Sequence, residues 1–233
     1  MNETASTGAP RAVRVWDLPT RLFHGALALC VVAAVISAKI GGNAMVWHLR
    51  LGYAVLALLV FRLLWGFVGG RWSRFTHFFY SPAAFWRYLR GQALPGDRFD
   101  VGHSPLGALA ALAMLSWLAL QVGSGLIADD EIATVGPLVR LASGETSLSW
   151  TAFHKHWGQW GVLLLVGLHL AAIAFYTLVK RRALLPAMWH GDKPLSGEMP
   201  PSQDGAASRL LALLLMLGCG YGVYRLVLWG LGP

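Results

Sequence analysis

Five histidines, His24, His48, His154, His156 and His169, lie within or at the edges of long apolar stretches. An imidazole surrounded by hydrocarbon is costly unless it has a partner, so a cluster of them marks a functional site. His154 and His169 share one stretch, fifteen positions apart. On a regular helix turning about 100° per residue, their rings fall roughly 60° apart in azimuth and about 22 Å apart along the axis. That spacing suits two axial ligands, each serving a different flat cofactor stacked across a bilayer. Haem is the obvious candidate.

The composition places these histidines in lipid. Hydrophobic residues make up 56% of the 233 residues and charged residues 13%, against roughly 25% charged in a soluble domain. The 11 Trp exceed what a soluble core of this length needs, and aromatic side chains gather at membrane interfaces. A net charge of +8 raises nucleic acid as a partner. The basic residues flank apolar spans, however, which argues for membrane topology and against nucleic acid. Cys30 and Cys219 fall inside the spans, and no CxxCH motif is present. Covalent c-type attachment is therefore unsupported, and a haem here would be held by non-covalent b-type ligation. The N-terminal segment up to His24 contains no short apolar run followed by a cleavage site, so no signal peptide is expected.

The elements that must position the histidines are five apolar helices, at about 22–40, 46–68, 104–127, 154–179 and 208–231. Each is long enough to cross a hydrocarbon core of about 30 Å. The expected fold is an all-α integral membrane helical bundle forming a single membrane domain over 1–233. Its haem-binding core covers about 15–180, and the helix at 208–231 is additional. Arg11, Arg14 and Arg21 precede span one; Arg71, Arg74, Arg87 and Arg90 follow span two; Lys180, Arg181, Arg182, Lys193 and Arg209 follow span four. The opposite side holds Lys39 and Arg50 near the first hairpin, and Asp129, Asp130, Glu131, Arg140 and Glu145 in the second. The positive-inside rule then puts the N-terminus in the cytoplasm of a cell with a multi-pass inner (plasma) membrane protein. The stretch Phe75–Arg90 alternates aromatic and basic residues after Ser81-Pro82 and reads as an amphipathic helix lying in the interface, with an ordinary solvated loop as the alternative.

Topology assigns depths. His24 lies near the cytoplasmic face, His48 near the periplasmic face, His154 at the periplasmic start of span four and His169 deep in its cytoplasmic half. The matched pairs are His24 with His169 and His48 with His154. Each pair can clamp one iron between imidazoles from different helices. His156 is the rival to His154: it stands thirteen positions from His169, which puts the rings about 140° apart, and one bundle-facing helix struggles to present both. His77, His103 and His190 read as interfacial or solvated. Haem propionates need cationic partners at the membrane edge; Arg50 suits the periplasmic haem, and Arg21, with Arg74 or Arg181, the cytoplasmic one. Arg62, inside span two, is long enough to snorkel toward the cytoplasmic face. Gly25, Gly52, Gly123, Gly125, Gly161 and Gly167 permit close approach of helices or of a porphyrin.

Several strings resemble the bacterial cytochrome b561 family, which includes the cytochrome b subunits of nickel–iron hydrogenases. They are VWDLPTRLFH (15–24), WHLRLGYAVLALLVFRLLWGFVG (47–69), RFTHFFYSPAAFWRYLRG (74–91), GHSPLGALAALAML (102–115), FHKHWGQWGVLLLVGLHLAAIAFY (153–176) and PAMWHGDK (186–193). The resemblance implies a four-helix core with two b haems, His24 and His48 matching the first- and second-helix ligands and His154 and His169 the fourth-helix pair. Some members separate the fourth-helix ligands by one position fewer, which leaves the choice around 154–156 open. The family implies electron transport in a respiratory chain, between a quinone or membrane donor and a periplasmic redox partner such as a cytochrome c. The acidic segment at 129–131 suits docking of a basic partner, or solvation alone. The sequence holds no paired-carboxylate motif, nucleophile elbow or P-loop. Two rivals are a haem-bearing anchor subunit of a hydrogenase or dehydrogenase, and a transporter using the histidines for a metal.

Overall fold

The computed structural model describes residues 9–232 apart from positions 95, 98 and 183; the leader expectation for the N-terminus falls partly on residues 1–8, outside the described residues. The element order is β1 (Arg11–Arg14), α1 (Leu18–Ile40), α2 (Met45–Val68), α3 (Pro82–Leu89), α4 (Pro105–Leu126), α5 (Gly144–Phe153), α6 (Gln159–Ala174), α7 (Leu184–His190), β2 (Asp192–Leu195) and α8 (Ala206–Leu231). A π-helical turn at His154–Gly158 joins α5 to α6, and a second at Phe175–Val179 extends α6. Five helical stretches are long and apolar enough to cross a membrane: Leu18–Ile40, Gly42–Val68, Pro105–Leu126, Gly144–Val179 and Ala206–Leu231. The chain is therefore an all-α, multi-pass membrane protein. Leu29, Ile36, Leu164, Leu168, Leu213 and Leu217 stand exposed on these spans, as side chains meeting lipid should.

Local chemistry explains the boundaries. Asp17 caps α1, its carboxylate accepting from the Thr20 amide at 2.8 Å. The same helix ends on Gly41 at φ 69°, whose N–H returns to the Ser37 carbonyl, a left-handed stop that favours glycine. Ser104 caps α4 through the Gly107 amide with Pro105 in the first turn. The fourth span begins ten positions before the expected 154, because Ser143 caps Gly144–Phe153 through the Thr146 amide. The polar run GETSLSW hides that start from a hydropathy reading. Phe75–Arg90 is helical only from Pro82, capped by Ser81; Phe75–His77 forms a 3₁₀ turn instead.

By contact density the described chain falls into two compact units. One comprises Met1–Leu22, Trp65–Leu109 and Ala171–Ala212. It holds the only departure from helix among the described residues' named elements, the antiparallel ladder of β1 on β2 in register Arg11 with Leu195 and Arg14 with Asp192. Val15, Trp16, Trp72, Val101 and Ala187 pack beside that ladder. At its centre Asp17 is fully buried, and accepts from Ser73 Oγ at 2.7 Å and Trp65 Nε1 at 3.1 Å besides the Thr20 amide. A Cβ at Gly70 would collide with the Asp17 carboxylate, so glycine is required for this approach. Arg14 reaches Asp192 and Asp204, each at 2.6 Å, and Asp204 also accepts from the Leu18 amide at 3.1 Å. Three segments expected on one side of the membrane are thereby tied together. His103, expected to be interfacial or solvated, packs its ring against Phe78 and Trp16, with centroids 4.4 and 4.8 Å away.

The other unit comprises Phe23–Leu64, Ala110–Leu170 and Leu213–Pro233. In it Ala57 of α2 packs with Val223 and Val227 of α8. Arg62 is buried, 5% exposed, and does not snorkel to a surface. The Asp17 hub generates a prediction. Asp17→Ala leaves buried donors of Trp65, Ser73 and Thr20 without their acceptor and costs at least about 3 kcal/mol, whereas Ser73→Ala, which removes one donor, costs about 1.5–3 kcal/mol. Thermal unfolding of the detergent-solubilised variants checks the order; equal midpoints for Asp17→Ala and the parent chain would remove the hub's role.

Candidate haem sites

The unit containing Phe23–Leu64 and Ala110–Leu170 brings together the four histidines paired from the sequence. His24 and His169 have ring centroids 6.2 Å apart with planes inclined at 55°. His48 and His154 have centroids 5.9 Å apart with planes at 85°. Two imidazoles on opposite sides of one metal, each bonded at about 2.0–2.1 Å, would set their centroids about 6 Å apart. Both pairs meet that separation. All four histidines are half-buried, whereas His156 is exposed.

Hydrogen bonding at the second pair leaves one nitrogen of each ring for a ligand. His48 Nδ1 lies 2.9 Å from the Ala34 carbonyl of α1, and His154 Nδ1 lies 2.9 Å from the Gln121 carbonyl of α4. A carbonyl only accepts, so each Nδ1 carries the proton and each Nε2 keeps its lone pair. This is how metal-binding histidines are commonly oriented. Ser124 Oγ, 2.7 Å from the same Gln121 carbonyl, also sits 3.0 Å from His154 Nδ1.

The π turn that begins at His154 is part of this arrangement. Its wider ladder leaves carbonyls with spare accepting capacity, and π turns often occur at functional sites. Gln121 Nε2 donates to the His154 carbonyl at 3.1 Å, and Trp117 Nε1 donates to the Gly158 carbonyl at 3.0 Å. Gly158 and Gly161 let α4 come this close, since a Cβ at either would overlap Gln121 or Trp117. The turn absorbs one extra position, so His154 and His169 present their rings much as a regular helix would with one position fewer between them.

A cavity of about 490 Å³ adjoins His48 and His154, within the range of cofactor pockets. Its wall is mostly apolar, with Val31, Val35, Leu118 and Val162, and includes Gly52 and Gly125. A Cβ at Gly125 would lie 2.9 Å from His154 Cε1. Two cations line the cavity, Lys39 and Lys155, and neither was singled out from the sequence as a site residue. The signal for Lys155 was its place beside His154. Arg50 is not among the lining residues; it is exposed and stacks over Trp47 at 5.2 Å. Two positions past His48, it projects about 200° around the helix from that ring. Arg21 lies on α1 one turn before His24; its guanidinium donates to the Trp189 carbonyl, and its Nε has no partner among the described residues. Arg74 donates to the Gly69 carbonyl at 2.8 Å, and Arg181 adopts φ 50° at the end of span four.

The acidic segment is partly used by its own backbone. Asp130 Oδ1 accepts from the amides of Thr134, Ala133 and Ile132, which hold its carboxyl down at about 2, and Asp129 Oδ1 accepts from the Glu131 amide. Among the described residues no group of three or more His, Cys, Asp or Glu side chains is placed to hold a bare metal ion. A prediction separates the rival histidines. His154→Ala and Gly125→Val each lower the bound haem of protein expressed with haem in excess, and His156→Ala leaves it unchanged. Pyridine haemochrome assay of the purified variants checks this; equal losses at 154 and 156 would contradict the assignment.

A curated protein of Azotobacter chroococcum mcd 1, described as a probable Ni/Fe-hydrogenase B-type cytochrome subunit, is 25% identical over 229 residues, covering 81% of this chain and 91% of that protein. No solved structure matches the chain. The family model described as prokaryotic cytochrome b561 matches residues 15–191, which takes in both histidine pairs, and the chain belongs to that family.

Proposed function

We propose that this membrane haem b electron-transfer protein binds two b haems, one between His24 and His169 and one between His48 and His154. The observation that carries the reading is the recurrence of one ring separation, 6.2 and 5.9 Å, in two histidine pairs joined through one helix. A b haem with two imidazole ligands supplies one-electron chemistry at an iron with no open position. The chain's part is to hold the four imidazoles, fix the Nδ1 protons of His48 and His154 on backbone carbonyls, and surround the site with apolar side chains. Lys39 and Lys155 offer cations for the propionates at the His48–His154 end. Arg21, on α1 one turn before His24, offers one at the other.

The proposed role is transport of electrons across the inner membrane, with the N-terminus cytoplasmic, between a quinone or membrane donor and a periplasmic redox partner. The Azotobacter relative is described as a hydrogenase subunit, so a hydrogenase or dehydrogenase subunit stands beside a cytochrome c as that partner. Copurification with such a subunit supports the anchor form of the reading. The direct test is haem content with a dithionite-reduced minus oxidised spectrum. The intact chain is expected to show b-type absorbance and about two haems per chain, and Ala at His24, His48, His154 or His169 to leave about one. Unchanged haem content in a variant removes that residue from the ligand set, and absence of b-type absorbance after haem-replete expression overturns the proposal.

A further inference from the structure

A cationic pocket lies apart from both histidine pairs, within the unit containing Trp65–Leu109 and Ala171–Ala212. It encloses about 150 Å³ and is lined by Arg71, Arg74, Thr76, His77, Pro201 and Gln203. The sequence RWSRFTH builds its charged wall. Residues 71–73 and 75–77 form two short 3₁₀ turns, with Arg74 extended between them. Arg71, Arg74 and His77 all line the cavity. Neither arginine forms an ion pair among the described residues, whereas Asp204, beside the pocket's Gln203, is already engaged by Arg14 and Arg209. Burial, then the charges of Arg71 and Arg74, lower the His77 pKa, so the cationic field converges on this spot, and no carboxylate among the described residues lines the pocket.

Position narrows the ligand. Arg71 follows the last residue of α2, Val68, by three positions, and Gln203 precedes the first residue of α8, Ala206, by three. The pocket thus sits where two spanning helices meet the membrane boundary. Phe79 (75% exposed) and Trp86 (57%), in the segment that follows, are suited to that level. We infer that this pocket binds a phosphate group, presented by an anionic phospholipid headgroup or as free phosphate. Two guanidiniums supply paired donors to phosphate oxygens, and Thr76 and Gln203 add polar contacts; basic pockets at membrane faces bind lipid headgroups in this way.

Native mass spectrometry of the full-length protein in detergent tests it, with cardiolipin, phosphatidylglycerol, phosphatidylcholine or inorganic phosphate as probe. Arg71→Gln removes one pocket charge, and Arg90→Gln removes one exposed charge outside it. Each matched variant is first shown to keep the parent unfolding midpoint. Preferential retention of the anionic lipids over phosphatidylcholine, weakened roughly fivefold by Arg71→Gln and unaffected by Arg90→Gln, supports the inference with lipid as the source. Arg71-dependent binding of inorganic phosphate without lipid preference supports it with free phosphate as the source. Equal loss in the two variants, or no binding of either probe class, overturns it. Arg74→Lys, which retains the charge, is expected to bind more weakly than the parent but more tightly than Arg74→Gln. None of these readouts depends on haem.

Discussion

An imidazole taken into hydrocarbon has two nitrogens to satisfy, and the histidine-bearing unit is arranged around that requirement. At His48 and His154 one nitrogen of each ring is answered by a backbone carbonyl, Ala34 or Gln121, at 2.9 Å. The centroids of these two rings are 5.9 Å apart, the spacing that the proposed iron between them would require. Fixing the tautomer from the backbone makes the ligand geometry a property of helix packing. It therefore depends on how closely α4 approaches the fourth span, and hence on glycines at 158 and 161 and on the side-chain bonds from Trp117 and Gln121 into the π turn.

The unit with the two-stranded ladder depends on an analogous device. A buried carboxylate, Asp17, gathers donors from the residues that begin α1, end α2 and open the following loop. Ser202 ties in the chain before α8, donating to the Val15 carbonyl at 2.7 Å while its hydroxyl accepts from the Trp72 amide at 3.3 Å. Buried polar networks of this kind are stabilising when every member is satisfied and costly when one is removed. The string VWDLPT is thus structural: aspartate at 17 and glycine at 70 are there for each other.

Much of this was legible in the sequence because lipid imposes strong rules. Apolar runs of about 20 residues located the spans, and the depth of each histidine selected the pairs that the structure brings together. The beginning of the fourth span was not legible, since capping by Ser143 within a polar run outweighs hydropathy there. The strands escaped notice because short segments at opposite ends of the chain carry no local signal of pairing. Gln121 was invisible for a different reason: both of its contacts with His154, ring nitrogen to Gln121 carbonyl and Gln121 Nε2 to His154 carbonyl, end on a main-chain carbonyl, which leaves no trace in the sequence. The π turn had no signature in HKHWG beyond the glycine. Arg50 was named for the propionates by its nearness to His48 in sequence; lysines at 39 and 155, which line the cavity, carried no such signal.

The central claim is that two histidine pairs each hold one six-coordinate haem. Low-temperature electron paramagnetic resonance of the oxidised protein, expressed with haem in excess, reads coordination at each iron directly. Two distinct low-spin ferric signals of comparable intensity are the expected result, because each iron would be held by two imidazoles. A dominant high-spin signal, or a single low-spin species at one haem per chain, would contradict it.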